Sequence, residues 1–249
     1  QSIEPVILAA LISGEPLLLI GRHGTAKSYL LSRICLALGL DWRHYNASLL
    51  NYDDLVGYPL PDADGKLKFV ETPASIWGAQ AVFLDEISRC RVDLQNKLFP
   101  IIHERCVQGI ELTDLVHRWA AMNPPTDPDS DELDESDSQP GYDGSEPLDP
   151  ALADRFAFIV PIPDWSNFSE KERRRLLLAS QRPIPDDAAL RFRAVVEAGR
   201  TVLPGIQAEC GKQLAAYVDT VCQLLAKSNS TGLELSGRRG AQLLTNISA

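Results

Sequence analysis

Apolar residues follow two rhythms along this chain. Leu17-Leu18-Leu19-Ile20 and Ala81-Val82-Phe83-Leu84 are short unbroken runs, as expected of strands buried on both faces of a parallel sheet. Trp42–Asn46, His117–Met122 and Phe156–Val160 read as three further strands. Between them, Val6–Leu11, Tyr29–Leu38 and Arg91–Glu104 carry helical spacing, the last with Leu94, Leu98, Ile101 and Ile102 on one side. This alternation predicts an α/β protein with a three-layer αβα core and a parallel five-stranded sheet. Two small hairpins interrupt it. One has a D-x-D-G turn at Asp62–Gly65 followed by Lys66–Val70, and the other spans Cys106–Leu115 with Gly109 near its turn. Ala151–Arg155 reads as a short helical turn.

The pattern changes after Trp165. Ser169 and Glu172 form a capping box. Asp186–Val202, Ile206–Lys227 and Arg238–Ile247 look helical, and no strand is evident. A core domain over 1–165 and a small all-α lid domain over 166–249 are therefore expected.

At 249 residues, 45% hydrophobic and 23% charged, the chain has the makeup of a soluble globular protein. No apolar run nears the roughly 20 residues that span a bilayer, and no signal-peptide pattern precedes the first strand. Five scattered cysteines without metal spacing suit reduced thiols in a cytoplasmic protein. The four histidines form no metal pattern. The start at Gln1 rather than Met fits a piece of a longer or processed protein. The net charge of −10 is local. Ten of the 34 acids lie between Asp127 and Asp149, so the remaining 24 balance the 24 Lys and Arg. A neutral body with a mobile, solvated acidic loop at 125–149 disfavours nucleic acid as a partner.

Chemistry enters at the end of the first strand. Gly21-Arg22-His23-Gly24-Thr25-Ala26-Lys27-Ser28 is a glycine-bearing turn between strand and helix that closes on Lys-Ser. Such a turn cradles phosphate, because backbone N–H groups and the helix dipole converge there. Lys27 would reach the terminal phosphates, and the Ser28 hydroxyl would hold Mg²⁺. The usual pattern has Gly where Ala26 stands; the substitution is mild if that residue is already helical. A second run ends in Asp85-Glu86. Ligands of parallel sheets sit beyond the carboxyl ends of the strands. Asp85 is therefore read as the Mg²⁺ ligand and Glu86 as the base that orients and deprotonates water. The plain alternatives are an ordinary strand–turn–helix with an exposed Lys and a solvated acidic strand end.

The ordered set of motifs resembles the AAA+ ATPases, and within them the MoxR-like family. The matching pieces are Gly21–Ser28, Asp54-Leu55-Val56-Gly57, Phe83–Ile87, Met122-Asn123-Pro124, Leu152–Phe156 and Ser236-Gly237-Arg238. The resemblance implies that Gly21 to Tyr29 and Arg238 bind the nucleotide, and that Asn123 is a sensor for the γ-phosphate and the attacking water. It also implies that Arg155 is an arginine finger for a neighbouring subunit. A turn asparagine and an Arg155–Asp154 ion pair are the local alternatives. Arg239 competes with Arg238 as the lid sensor. Asn46 is either a switch residue for Glu86 or a turn residue. Family members carry more residues before the first helix, which help to hold the adenine, and a less acidic loop.

The resemblance further implies ATP and Mg²⁺ as cofactors and a homo-hexameric ring. It implies chaperone-like remodelling of a protein client such as one with a von Willebrand factor A domain. The sequence itself shows only a nucleoside triphosphate. Two other functions compete. One is a nucleotide-gated scaffold with little hydrolysis, which the intact Asp85-Glu86 pair opposes. The other is a nucleic-acid-associated motor, which the charge distribution opposes.

Overall fold

A computed structural model describes residues 3–65, 67–124, 148–179, 182–228 and 237–249. Five parallel strands form the central sheet: β1 (Leu17–Ile20), β2 (Trp42–Asn46), β5 (Ala81–Asp85), β8 (His117–Met122) and β9 (Phe158–Pro161). Their order is β2-β5-β8-β1-β9. The two hairpins are separate: β3 (Tyr58–Pro61) with β4 (Leu67–Val70), and β6 (Cys106–Val107) with β7 (Ile110–Glu111). The helices are α1 (Glu4–Ser13), α2 (Lys27–Leu38), α3 (Tyr52–Val56), α4 (Val92–Glu104), α5 (Pro150–Ala153), α6 (Glu170–Ala179), α7 (Asp186–Ser228) and α8 (Gly237–Ser248). The expected fold is therefore present: a helix-flanked parallel sheet followed by C-terminal helices. Most of the acidic run lies outside the described residues. Its last acid, Asp149, caps α5 by accepting from the Ala151 N–H at 2.7 Å.

Alternation along the strands splits the core in two. Leu18, Val82, Leu84, Ala120 and Met122 face one side, where α4 adds Leu94, Leu98, Ile101 and Ile102. Leu17, Leu19, Phe83, Trp119 and Ala121 face the other, with Leu11 of α1, Leu31 of α2 and Val196 of α7. Successive strand side chains point to opposite faces, so an unbroken apolar run fills both layers at once. The parallel register sets Ile20 beside Met122 and Asn46 beside Asp85, which brings the carboxyl ends of the strands to one edge.

Gly57, in the Asp54–Gly57 motif, has a structural reason. Its φ is +87°, and a Cβ there would lie 2.3 Å from the Val70 carbonyl oxygen, so only glycine lets the first hairpin close.

The structure corrects the sequence reading in two places. The last strand is Phe158–Pro161 rather than Phe156–Val160. The two helices expected on either side of Pro204-Gly205 are one helix of 43 residues, about 65 Å long at 1.5 Å per residue. Proline removes one helical hydrogen bond and crowds the carbonyl one turn back, at a cost of about 3 kcal/mol, which a helix of this length absorbs. α7 also rests on α1 and α2. Arg193 Nε donates to the Ala37 carbonyl at 2.6 Å, and Arg200 Nη2 donates to the Leu11 carbonyl at 3.1 Å.

Arg200 makes a second contact, 2.9 Å from His117 Nε2. A guanidinium only donates, so this buried imidazole accepts there and is neutral. Burial, then the Arg200 and Arg118 cations, push its pKa down to about 3. Unfolded histidine titrates near 6.5. Below that pH the unfolded chain binds a proton that the folded chain refuses, so stability falls as pH drops from about 6.5 towards 3. Urea unfolding at pH 7.5 and pH 5 should show a loss of about 2 kcal/mol from this group. His117→Gln keeps an acceptor for Arg200 and should remove that part of the slope. An unchanged slope in the variant would contradict the assignment.

Candidate functional site

The turn from Gly21 to Ala26 leaves β1 at the carboxyl edge of the sheet and delivers Lys27 and Ser28 as the first residues of α2. His23 to Tyr29, Asp85 and Glu86 line one cavity of about 310 Å³ there. Gly24 has φ +73° and open space where a side chain would stand, so the turn leaves room over the helix start.

Ala26 is not the first helical residue. It is left-handed, with φ 61° and ψ 27°. The mildness expected of Ala in place of Gly therefore does not hold, because a Cβ in that region costs about 1–2 kcal/mol. Glu86 is left-handed too, at φ 54°. Two of the four described non-glycine residues with positive φ thus lie on this cavity, and strain of this kind concentrates at functional sites.

Lys27 is buried, and its three protons have three acceptors. These are the carbonyls of Gly21 at 2.6 Å and Arg22 at 3.0 Å, and Asn123 Oδ1 at 3.3 Å. Burial pushes the ammonium pKa below its ordinary value, while the Asp85 and Glu86 carboxylates pull the other way. Ser28 Oγ donates to Asp85 Oδ2 at 2.7 Å. Burial raises the Asp85 pKa, but hydrogen bonds from His44, Ser28 and the Glu86 N–H outweigh it and hold the carboxyl below its usual range. Glu86 Oε2 lies 3.5 Å from Arg89 Nε.

Asn123 sits between the two halves of the site, just past the carboxyl end of β8, the strand between β1 and β5. Its Oδ1 faces Lys27, so its Nδ2 must donate to His23 Nε2, 3.0 Å away. Arg22 lies 3.7 Å from Asp164, and Thr25 Oγ1 donates to the Arg22 carbonyl. Tyr29 carries the Arg33 guanidinium over its ring.

Three residues singled out by sequence, Arg155, Asn46 and Arg239, do not line the cavity. The Arg155 guanidinium covers the Phe99 ring at 4.1 Å and donates to the Ala151 carbonyl, whereas Asp154 faces Arg239 at 3.7 Å. Asn46 Oδ1 accepts from the Ser48 N–H and hydroxyl, the pattern of a turn. Arg238 lies on α8, and its side chain is outside the described residues. Arg239 is engaged with Asp154 and the Phe156 carbonyl.

The AAA domain (dynein-related subfamily) matches residues 16–156, more than half of the chain and all of the cavity lining. The chain belongs to this AAA family. Among solved structures, it is similar to a candidate ATPase from Cytophaga hutchinsonii ATCC 33406. The TM-score is 0.65 at 17% identity, over 98% of this chain and 72% of that one, a likeness in fold. No curated protein matches the chain. Among the described residues, no helix is long and apolar enough to cross a membrane.

AAA domains bind nucleotides, and the residues here suit that task. An ammonium held by two backbone carbonyls and an amide is a cation whose present partners occupy the position of an anion's oxygens. A hydroxyl paired with a low-pKa carboxylate is the oxygen donor set that Mg²⁺ prefers. Sequence reasoning missed two supports. His44 Nε2 lies 3.5 Å from Asp85 Oδ2 and stacks on Phe83. The period-2 face shared by Trp42, His44 and Asn46 in β2 was the available signal. The His23–Asn123 contact joins residues a hundred apart, and no spacing reveals it.

Proposed function

We propose that this chain is a MoxR-like AAA+ ATPase that binds ATP with Mg²⁺ and hydrolyses it in a homo-hexameric ring to remodel a partner protein. The observation that carries the reading is one cavity holding Lys27, the Ser28–Asp85 pair and Glu86. Residues 1–165 form the nucleotide-binding core, and 166–249 form the lid. The MoxR-like placement and a client with a von Willebrand factor A domain rest on the order of motifs.

In this reading Gly21 to Ala26 wrap the phosphates with backbone N–H groups. Lys27 exchanges its carbonyl and amide partners for phosphate oxygens. Ser28 and Asp85 hold Mg²⁺, which when bound supplies positive charge to the phosphate oxygens. Glu86 accepts the proton of the attacking water. Asn123 uses its amide to orient that water and the terminal phosphate. Arg155 leaves Phe99 and reaches a neighbour's site, where a permanently charged fork suits phosphate oxygens.

A finger supplied by a neighbour makes activity depend on assembly. Turnover per chain should rise with protein concentration and level off as rings fill. A rate per chain that stays flat across assembly, followed by light scattering on the same samples, would contradict a shared site.

A further inference from the structure

α8 carries three side chains on one face, Arg239, Gln242 and Asn246, at the i, i+3, i+7 spacing of a single stripe. Each donates to the backbone of one short segment. Gln242 Nε2 donates to the Arg155 carbonyl at 3.5 Å, Arg239 Nη1 to the Phe156 carbonyl at 2.6 Å, and Asn246 Nδ2 to the Ala157 carbonyl at 2.9 Å. Arg239 Nε also faces Asp154 Oδ1 at 3.7 Å. Three consecutive carbonyls, beginning with that of Arg155 itself, are thus capped from one helix.

These donors lie in the C-terminal helices, while the acceptors lie in the strip that leads into β9. α8 packs on α7, and α7 packs on α2, whose first residues are Lys27 and Ser28. A contiguous set of packed elements therefore joins the phosphate turn to the backbone that presents Arg155. The join is incompletely satisfied. Arg155 Nε and Gln242 Oε1, a donor and an acceptor on two residues in contact, are both buried without a hydrogen-bond partner among the described residues. They remain available to a second arrangement of α8 against this segment.

We propose that Arg239, Gln242 and Asn246 are positioning residues. Through them α8 sets the placement of Arg155, so that nucleotide binding in one subunit adjusts the finger it offers to the next. The inference rests on reading Arg155 as a finger. It adds that a subunit's own lid helix controls that finger, through side chain to backbone hydrogen bonds.

The first test follows hydrogen exchange of the full chain with and without Mg²⁺ and a slowly hydrolysed ATP analogue. Wild type should change protection in 150–158 together with 237–249. Gln242→Leu and Asn246→Leu, made separately, should keep the 237–249 response and reduce that of 150–158 at least fivefold. Arg239→Lys keeps a cation facing Asp154 and should retain it. Should a leucine variant fail to fold, the alanine variant at the same position gives the same reading. A response of wild-type size in 150–158 of the folded Gln242 and Asn246 variants overturns the proposal.

The second test mixes wild-type chains with chains disabled by Glu86→Gln, which should keep ATP bound without turning it over. Adding Asn246→Leu to the disabled chains should lower turnover at their wild-type neighbours at least tenfold, as should adding Arg155→Ala. If only Arg155→Ala does so, lid control of the finger is wrong and the finger stands. If Arg155→Ala changes nothing, the finger reading fails and this inference falls with it.

Discussion

Glu86→Gln is expected to bind ATP as tightly as the wild type and to turn it over about 10²–10⁴-fold more slowly, the range for loss of a positioned general base. The change keeps the size and planarity of the side chain and removes only its ability to take a proton. Lys27, Ser28 and Asp85 make no described hydrogen bond to the Glu86 carboxylate, so the phosphate and metal contacts should survive. The left-handed backbone at this position is no harder for Gln than for Glu. Equilibrium binding of labelled ATP beside steady-state phosphate release separates the two effects. Turnover within threefold of wild type would remove Glu86 from the chemistry.

Arg155→Ala should behave differently. In the isolated chain its guanidinium rests on Phe99, outside the cavity, so ATP affinity per chain should be unchanged. Turnover in the assembled protein should fall about 10³–10⁵-fold, the usual worth of an arginine finger. The lost cation–π contact should lower stability by only about 0.5–2 kcal/mol, which a melting curve will show. Mixing Arg155→Ala with Lys27→Ala chains should restore activity, because some interfaces then pair an intact finger with an intact pocket. Absence of recovery at any mixing ratio would count against a finger acting in trans.

The sheet was legible because burial on both faces leaves unbroken apolar runs, as at Leu17–Ile20 and Ala81–Leu84. The site was legible for a related reason: Ser28, Asp85 and Asn123 each fall at or just beyond the carboxyl edge that a parallel register fixes. Ala26 was misread because its left-handed backbone leaves no trace in a residue that fits helices well. Pro204 was read as a break on its missing N–H alone, and α7 runs through it. His117 and the α8 stripe act through partners distant in the chain, and nothing local marks those partners.

The central claim is that one cavity grips a triphosphate through Lys27 and a metal through Ser28 and Asp85. Titration of wild type and Lys27→Ala with labelled ATP, each with and without Mg²⁺, tests it most directly. The account predicts saturable, Mg²⁺-strengthened binding by wild type and an affinity at least about 100-fold lower in the variant, since a buried charge-assisted contact is worth about 1.5–3 kcal/mol per hydrogen bond. Equal affinity of the two proteins, or no saturable binding by wild type, would contradict it.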